Sequence, residues 1–462
     1  MQTKQVNYKL RKLNGDVLTP INLFLRLQGE KKFLLESSLK HSEQGRYSFI
    51  GVNPVFEVIG SNDETVLKDA DGHVVKQEKG LPLEFLKKSL PQIDLDVPFP
   101  FYGGAIGYVG YDAIFQYRNI GEALYDEIDM PDLHFMVYED IIVFDHLSQK
   151  IYILTIDFSN QRSESELETR IQTFENQISQ KETDETLTDL TIDFKPQMER
   201  DEFIRRIEQA RQYVENGEVL QVVLSQRMVG NVTQDPFHFY RLLRNTNPSP
   251  YMFYVDFKEY IVLGASPESF VKSKGEIVST NPIAGTRPRG KTEQEDKENA
   301  EELLKDEKEL SEHRMLVDLS KEDFSEIVKK GSIQLTRYMQ LEYYQYVMHI
   351  VSEMEGTLQD GKSGLDALIA CLPAGTVSGA PKTRAMQIIN ELEERKRGVY
   401  AGAIGYVNLN GDIDFALAIR SLIIKNQKAY LQAGAGIVVD SIPENEYLET
   451  MNKAGALLRP ER

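Results

Sequence analysis

Tryptophan is absent from this 462-residue chain, and cysteine occurs once, at Cys371. A single thiol cannot form a disulfide within the chain or build a cysteine-rich zinc site, and it points to a cytoplasmic setting. Basic residues are outnumbered, 53 against 72, for a formal net charge of −19. That balance speaks against nucleic acid as a partner. It leaves an anionic metabolite open, because a divalent cation can neutralise local carboxylates. No stretch is long and apolar enough to span a membrane, and Met1-Gln-Thr-Lys-Gln-Val lacks the apolar core of a signal peptide. What the chain has instead is 41% hydrophobic and 27% charged residues, the balance of a soluble globular protein. Its length suits about two or three ordinary domains, or one large sheet-based domain with an elaboration.

From about Tyr8 to Phe158 the pattern is one of strands separated by Gly, Asn and Asp turns, as at 46–51, 140–145 and 150–154. Residues 161–180 are charged and helix-compatible. Residues 181–190 are rich in Thr and Asp and read as a linker ending near Lys195-Pro196. The division expected is therefore an N-terminal region, 1–195, and a second region, 196–462. In the second, Phe203, Ile207, Ala210 and Val214 recur at helical spacing within 198–216. A buried strand follows at 220–225, and 292–317 reads as one very acidic helix. Strand and helix return at 338–354 and 382–396.

Tyr102-Gly-Gly-Ala-Ile-Gly-Tyr-Val is echoed by Tyr400-Ala-Gly-Ala-Ile-Gly-Tyr-Val. The echo suggests a diverged internal repeat, with two similar strand-rich layers packed face to face and helices outside, an α+β fold.

Leu372-Pro-Ala-Gly-Thr376-Val-Ser-Gly379-Ala-Pro-Lys382 is too poor in large apolar side chains to be core. It opens what looks like a helix. Its composition suits a loop whose backbone approaches a ligand, with Gly379 allowing contact and the helix start favouring an anion. A structural turn would read similarly.

Glu309 and Glu312 share one face of a helix at three-residue spacing, and Glu446 and Glu449 repeat that spacing after Pro443. Four carboxylates with room for water suit Mg²⁺, although such pairs are more often solvated helix faces. Glu268 follows Pro267 as a turn glutamate would. His349 sits in an apolar run where a hydrogen-bonded core histidine is the commoner outcome.

Three further runs complete the set: Arg397-Gly-Val-Tyr400, Asp412-Ile-Asp414-Phe-Ala-Leu-Ala-Ile-Arg420, and Gln432-Ala-Gly434-Ala-Gly436 leading to Glu446, Glu449 and Lys453. In this order the motifs resemble the chorismate-utilising enzymes, most of all the component I branch that forms anthranilate. The resemblance spans essentially the whole chain and is strongest from about Phe194 onward. It implies that Glu309, Glu312, Glu446 and Glu449 bind magnesium. Glu268 is implied as the general acid for loss of the 4-hydroxyl, and His349 as a substrate contact that assists catalysis. A carboxyl kept protonated by partial burial and nearby negative charge would serve as that acid. Arg420 and Tyr400 would hold the substrate carboxylate. Thr280, Ala284, Thr376, Gly434, Gly436 and Lys453 would complete the chorismate pocket.

Two positions discriminate within the family. Aminodeoxychorismate synthases usually carry a lysine nucleophile where this chain has Ala284, and isochorismate synthases a basic lysine where it has Gln221. Alanine excludes a covalent mechanism there, and glutamine cannot usefully accept a proton. Both point to ammonia as nucleophile, with anthranilate and pyruvate as products. Aminodeoxychorismate synthesis and a catalytically inactive, amino-acid-binding relative are the alternatives. No glutaminase motif is visible, so the resemblance implies a glutamine amidotransferase partner, component II, in a hetero-oligomer such as a heterotetramer. Glu36, Ser37, Pro250, Tyr251 and Met252 match the two segments of the family's tryptophan feedback site, which would lie in the 1–195 region and its contact with the second. The absence of tryptophan would suit a chain needed when tryptophan is scarce. One departure is Ser320-Lys-Glu-Asp323, where the family usually has Gly-Arg-Asn-Asp.

Overall fold

A computed structural model describes residues 6–38, 45–180, 192–344 and 347–458. Its frame is two twelve-stranded antiparallel sheets. At the centre of the first, Phe33–Glu36 pairs with Tyr251–Asp256. At the centre of the second, Gly104–Val109 pairs with Ala403–Asn408. In both sheets the strands on one side of the centre come from residues before 160 and those on the other from residues after 194. The regions 1–195 and 196–462 therefore share both sheets.

The repeat is visible in the strand order. Outward from the centre of the second sheet run Gly104–Val109, Leu133–Tyr138, Phe56–Ser61 and Glu64–Asp69 on one side. On the other run Ala403–Asn408, Ile413–Leu417, Ser269–Lys274 and Ile277–Thr280, in the equivalent sequence. The two Gly-Ala-Ile-Gly-Tyr segments do not lie in separate layers, as the echo suggested. They are neighbours in one sheet, with Gly107 opposite Gly405. A Cβ at Gly107 would stand 1.9 Å from His134 O, and one at Gly405 would stand 2.1 Å from Asp414 O. Each glycine is required by close approach of the next strand.

The sheets pack face to face over an aromatic-rich core. Phe49 of the first sheet meets Tyr406 of the second at 6.1 Å between ring centroids, and Phe101 meets Tyr406 at 4.6 Å. The hydroxyls of Tyr108 and Tyr260 bridge the layers at 3.1 Å. A second core lies between the outer face of the first sheet and the helices Pro20–Arg26, Glu164–Ser179 and Pro236–Thr246. The last of these starts as its sequence demands: Asp235 caps the Phe237 N–H, and Pro236 occupies the first turn. It buries Phe237, Phe239, Tyr240 and Leu243, worth about 1.5–3 kcal/mol for each such apolar side chain.

Two local expectations change. The acidic stretch is two helices, Glu293–Leu303 and Glu307–Ser325, because Asp306 turns its carboxylate onto the N–H groups of Lys308 and Glu309 and starts a new helix. Lys195–Pro196 is a strand paired with Met228 and Val229, so the chain is already in the sheet there. The linker at 181–190 lies outside the described residues. No helix among the described residues is long and apolar enough to cross a membrane.

Candidate active site

A cavity of about 710 Å³ opens between the sheets' C-terminal halves and the helices Glu307–Ser325 and Pro443–Leu458. Glu268, His349, Ala284, Thr376, Tyr400 and Arg420 all line it, as do Gly434, Gly436 and Lys453. Glu309, Glu312, Glu446 and Glu449 reach it from the two helices. Glu268 and Lys453, 185 positions apart in sequence, thus converge on one space. Thr280 does not reach it. Its hydroxyl is spent on the Phe270 carbonyl at 2.7 Å, and it lines a smaller cavity behind Glu268.

Glu268 sits in the tight link between Tyr260–Ser266 and Ser269–Lys274. Its N–H donates to Ser266 Oγ at 3.3 Å and its carbonyl accepts from Leu417 N at 3.1 Å, so both backbone groups are tied. The buried carboxyl accepts one hydrogen bond, from Thr376 Oγ1 at 3.1 Å. Burial pushes it from the ordinary 4.5 up to about 8, against the lowering effect of Thr376. Negative neighbours play no part, which differs from the cause expected; removal from water alone holds the proton.

His349 lies on Val347–Thr357 with its ring facing the cavity rather than the core. Nδ1 is 3.2 Å from Gly285 O and 2.9 Å from Thr286 Oγ1. A carbonyl only accepts, so Nδ1 carries the proton and Nε2 is left as an acceptor. Burial lowers its pKa and the Arg420 charge lowers it further, so the imidazole is neutral.

Arg420 holds a left-handed backbone, φ +52°. One Nη donates to Lys453 O at 2.9 Å, and no carboxylate among the described residues pairs with it. A half-buried guanidinium with no carboxylate partner among the described residues is a ready anion ligand. Two glycines shape the floor beside it. A Cβ at Gly434 would stand 2.8 Å from the Tyr400 hydroxyl, and one at Gly436 would stand 2.3 Å from Gln221 Nε2. Lys453 Nζ donates to Gly434 O at 3.0 Å and pairs with Glu449 at 2.7 Å. Gln221 donates to Glu312 at 3.3 Å, while its Oε1 is buried with no partner among the described residues.

The carboxylates are all hard oxygen donors, as a divalent cation needs. No three of them lie within 4.8 Å of one another; the acidic group that close among the described residues is Asp69, Asp71 and His73, on a hairpin turn. Burial raises Glu309, with Glu312 adding to it, and burial raises Glu446, with Glu449 adding. Each pair repels itself, and a bound cation would relieve that repulsion.

The loop at 372–382 contributes Thr376 and not its glycine. Gly379 approaches a strand: a Cβ there would stand 2.1 Å from Gln221 O. The start of the helix Lys382–Leu392 is likewise turned away from the cavity, with Lys382 bound to Asp323 and to Cys371 O.

Arg397 is a residue whose role the sequence did not disclose. Its fully buried guanidinium donates to Val377 O at 2.7 Å and Val223 O at 2.8 Å, pairs with Glu393, and lies 5.7 Å from the Tyr400 ring centroid. It clamps three walls of the cavity together. Its only signal was its place at the head of the motif containing Tyr400.

Of the expected effector residues, Glu36 stands opposite Met252 in adjacent strands. Glu36 Oε1 accepts from Tyr240 at 2.8 Å and from Arg244 at 2.6 Å; Oε2 is buried with no partner among the described residues. Ser37 follows, also buried. Tyr251 points to the other face of the sheet by strand alternation, bonding Ser269 at 2.9 Å and Asp414 at 3.0 Å. Pro250 lines the main cavity.

The chorismate binding enzyme family matches residues 30–459. Anthranilate synthase component 1 of Lactococcus lactis is 44% identical, over 98% of this chain and 99% of its own length. That of Thermus thermophilus is 40% identical, over 96% of each. The crystal structure of anthranilate synthase component I from Streptococcus pneumoniae superposes with a TM-score of 0.84 at 46% identity, covering 96% of this chain and 98% of that one. The menaquinone-specific isochorismate synthase of Escherichia coli, at 19% identity, 98% and 95% coverage and a TM-score of 0.74, shares the fold. The chain belongs to the chorismate binding enzyme family, on its anthranilate synthase component 1 branch.

Proposed function

We propose that the chain converts chorismate and ammonia into anthranilate and pyruvate, the ammonia being drawn from glutamine by a separate amidotransferase subunit. The observation that carries this is one cavity holding both a carboxyl that keeps its proton up to about pH 8, Glu268, and a guanidinium with no carboxylate partner among the described residues, Arg420. The first is a proton donor for a poor leaving group, and the second a grip for a carboxylate.

Arg420 and Tyr400 orient the substrate carboxylate. Glu268 delivers its proton to the departing 4-hydroxyl oxygen, a step worth about 10²–10⁴ in rate. His349 presents Nε2 as an acceptor and assists the loss of pyruvate. Ala284 offers no nucleophile and Gln221 no base, in keeping with ammonia as the attacking group. Glu309, Glu312, Glu446 and Glu449 would hold Mg²⁺, which supplies neutralisation of the substrate's carboxylate when bound. Positioning and charge neutralisation provide most of the remaining acceleration.

The single cysteine supports a separate glutaminase. Cys371 is buried and burial pushes its thiol far up, the opposite of a nucleophile's environment. The partner is component II, in a hetero-oligomer such as a heterotetramer, in the cytoplasm. Tryptophan is the expected inhibitor. Glu36 Oε2 is an acceptor suited to its α-amine and Met252 an apolar contact for indole, with Pro250 leading directly into the catalytic wall. In this view 1–195 contributes the regulatory residues and 196–462 the chorismate site.

The test is to incubate the purified chain with chorismate, Mg²⁺ and ammonium at alkaline pH and to separate the products. Anthranilate with equimolar pyruvate is the expected result. An amino product that keeps its pyruvyl ether would move the assignment to aminodeoxychorismate synthesis. No turnover, with tryptophan still bound, would make it an inactive binding protein.

A further inference from the structure

Behind Glu268 lies a second cavity of about 30 Å³. Glu268, Thr376 and Leu316 line both spaces and form the partition between them. A void of that size holds one water, or two, provided polar groups surround it. Asn281, Ser320 and Asp323 supply them, together with Glu268 and Thr376. Asp323 forms part of the wall. Both of its oxygens accept from Lys382 Nζ, at 2.7 and 2.6 Å, and the same ammonium reaches Cys371 O at 2.9 Å. The Asp323 side chain is 14% exposed. The other charges acting on it are Arg118 and Glu326, and both line a separate pocket of about 440 Å³ that shares no lining residue with the substrate cavity.

We propose that this small cavity is a proton port: water within it returns a proton from Asp323 to Glu268, on the side of Glu268 that faces away from substrate. The proposal rests on the assignment of Glu268 as general acid. Once Glu268 has given up its proton, the leaving oxygen departs as water and a carboxylate remains in a site emptied of solvent. Asp323, a carboxylate against Lys382 at rest, first takes up a proton; water in the port accepts that proton from it and donates one O–H proton to Glu268. The proton that Asp323 takes up comes from solvent, through the exposed part of its side chain. Each proton given to substrate is replaced by one from solvent, and the proton shed by the adding nitrogen leaves on the substrate side. Only O–H bonds change. Asp323 suits the task because burial pushes it up to about 6 even against Lys382, so it exchanges a proton near neutrality. Ordinary surface aspartates would be charged throughout that range.

The experiment compares first and later turnovers with ammonium as nitrogen source. Asp323→Asn removes the donor; Ser320→Leu fills the port with the Asp323–Lys382 pair intact, and so answers even if the first variant does not fold. Single-turnover formation of anthranilate should stay within twofold of wild type, because Glu268 starts protonated. Steady-state kcat should fall tenfold or more, with KM for chorismate unchanged and a larger solvent deuterium isotope effect on kcat. An equal fall in both regimes would mean a merely structural role and would overturn the port, as would unchanged kcat in Ser320→Leu. Glu268→Gln is the control: if it keeps its first turnover, the acid assignment itself fails, whatever the port variants do.

Discussion

The hydroxyl of Thr376 donates to Glu268 Oε1 at 3.1 Å and is the one polar side chain among the described residues that opposes the burial of that carboxyl. Burial prevails. The acid is held neutral by its surroundings and oriented by a neutral donor, an arrangement that keeps the proton available without weakening its geometry.

A pH dependence follows. Glu268 donates only while protonated, so kcat at saturating free ammonia should fall as pH rises through about 8. Thr376→Val removes the one opposing hydrogen bond and should move that limb upward. A pH–rate profile of both proteins is the check.

The same shift acts on stability, in the opposite direction from a salt-bridged carboxylate. Between the ordinary 4.5 and about 8 the folded chain holds a proton at Glu268 that the unfolded chain has released. Stability from this group is therefore full below 4.5 and is lost as pH rises towards 8, at about 1.4 kcal/mol per unit. Glu268→Gln should lose turnover by at least about 10²-fold yet melt higher than wild type at pH 8, as calorimetry would show.

Arg420 makes one backbone hydrogen bond and no ion pair among the described residues. Arg420→Met should raise KM for chorismate at least about tenfold, or 1.4 kcal/mol, with little change in melting temperature. A large loss of stability with unchanged KM would show that the guanidinium supports the fold instead.

Gly434 has no room for a methyl group between the Tyr400 hydroxyl and Leu224 O, at 2.8 and 2.9 Å from a Cβ. Gly434→Ala should cost about 1–3 kcal/mol and displace Tyr400, raising KM. Denaturant unfolding and steady-state kinetics read the two effects separately.

At the effector strands, Met252→Thr and Ser37→Arg should each relieve inhibition by tryptophan while leaving uninhibited kcat within twofold. Calorimetric titration with tryptophan, beside inhibition curves, tests this. Unchanged sensitivity in both variants would remove the assignment.

The sequence by itself determined the chemistry on offer. It gave residue types at fixed spacings: two glutamate pairs on helix faces, Glu268 after Pro267, Arg420 closing the run from Asp412, small residues where backbones must touch. Strand alternation and helical periodicity are local, so the strands of the first half and the helix after Arg200 were legible. So was the repeat, because Gly107 and Gly405 meet the same steric demand. Tertiary structure decided what local pattern cannot reach. It set both repeats side by side in one sheet, and it broke the acidic helix at Asp306. It turned Tyr251 away from Glu36, and it moved Thr280 and Gly379 out of the cavity. It also raised the Glu268 carboxyl to about 8 by withdrawing it from water. Burial, close approach and partner choice are sums over residues distant in sequence, and only the folded chain performs them.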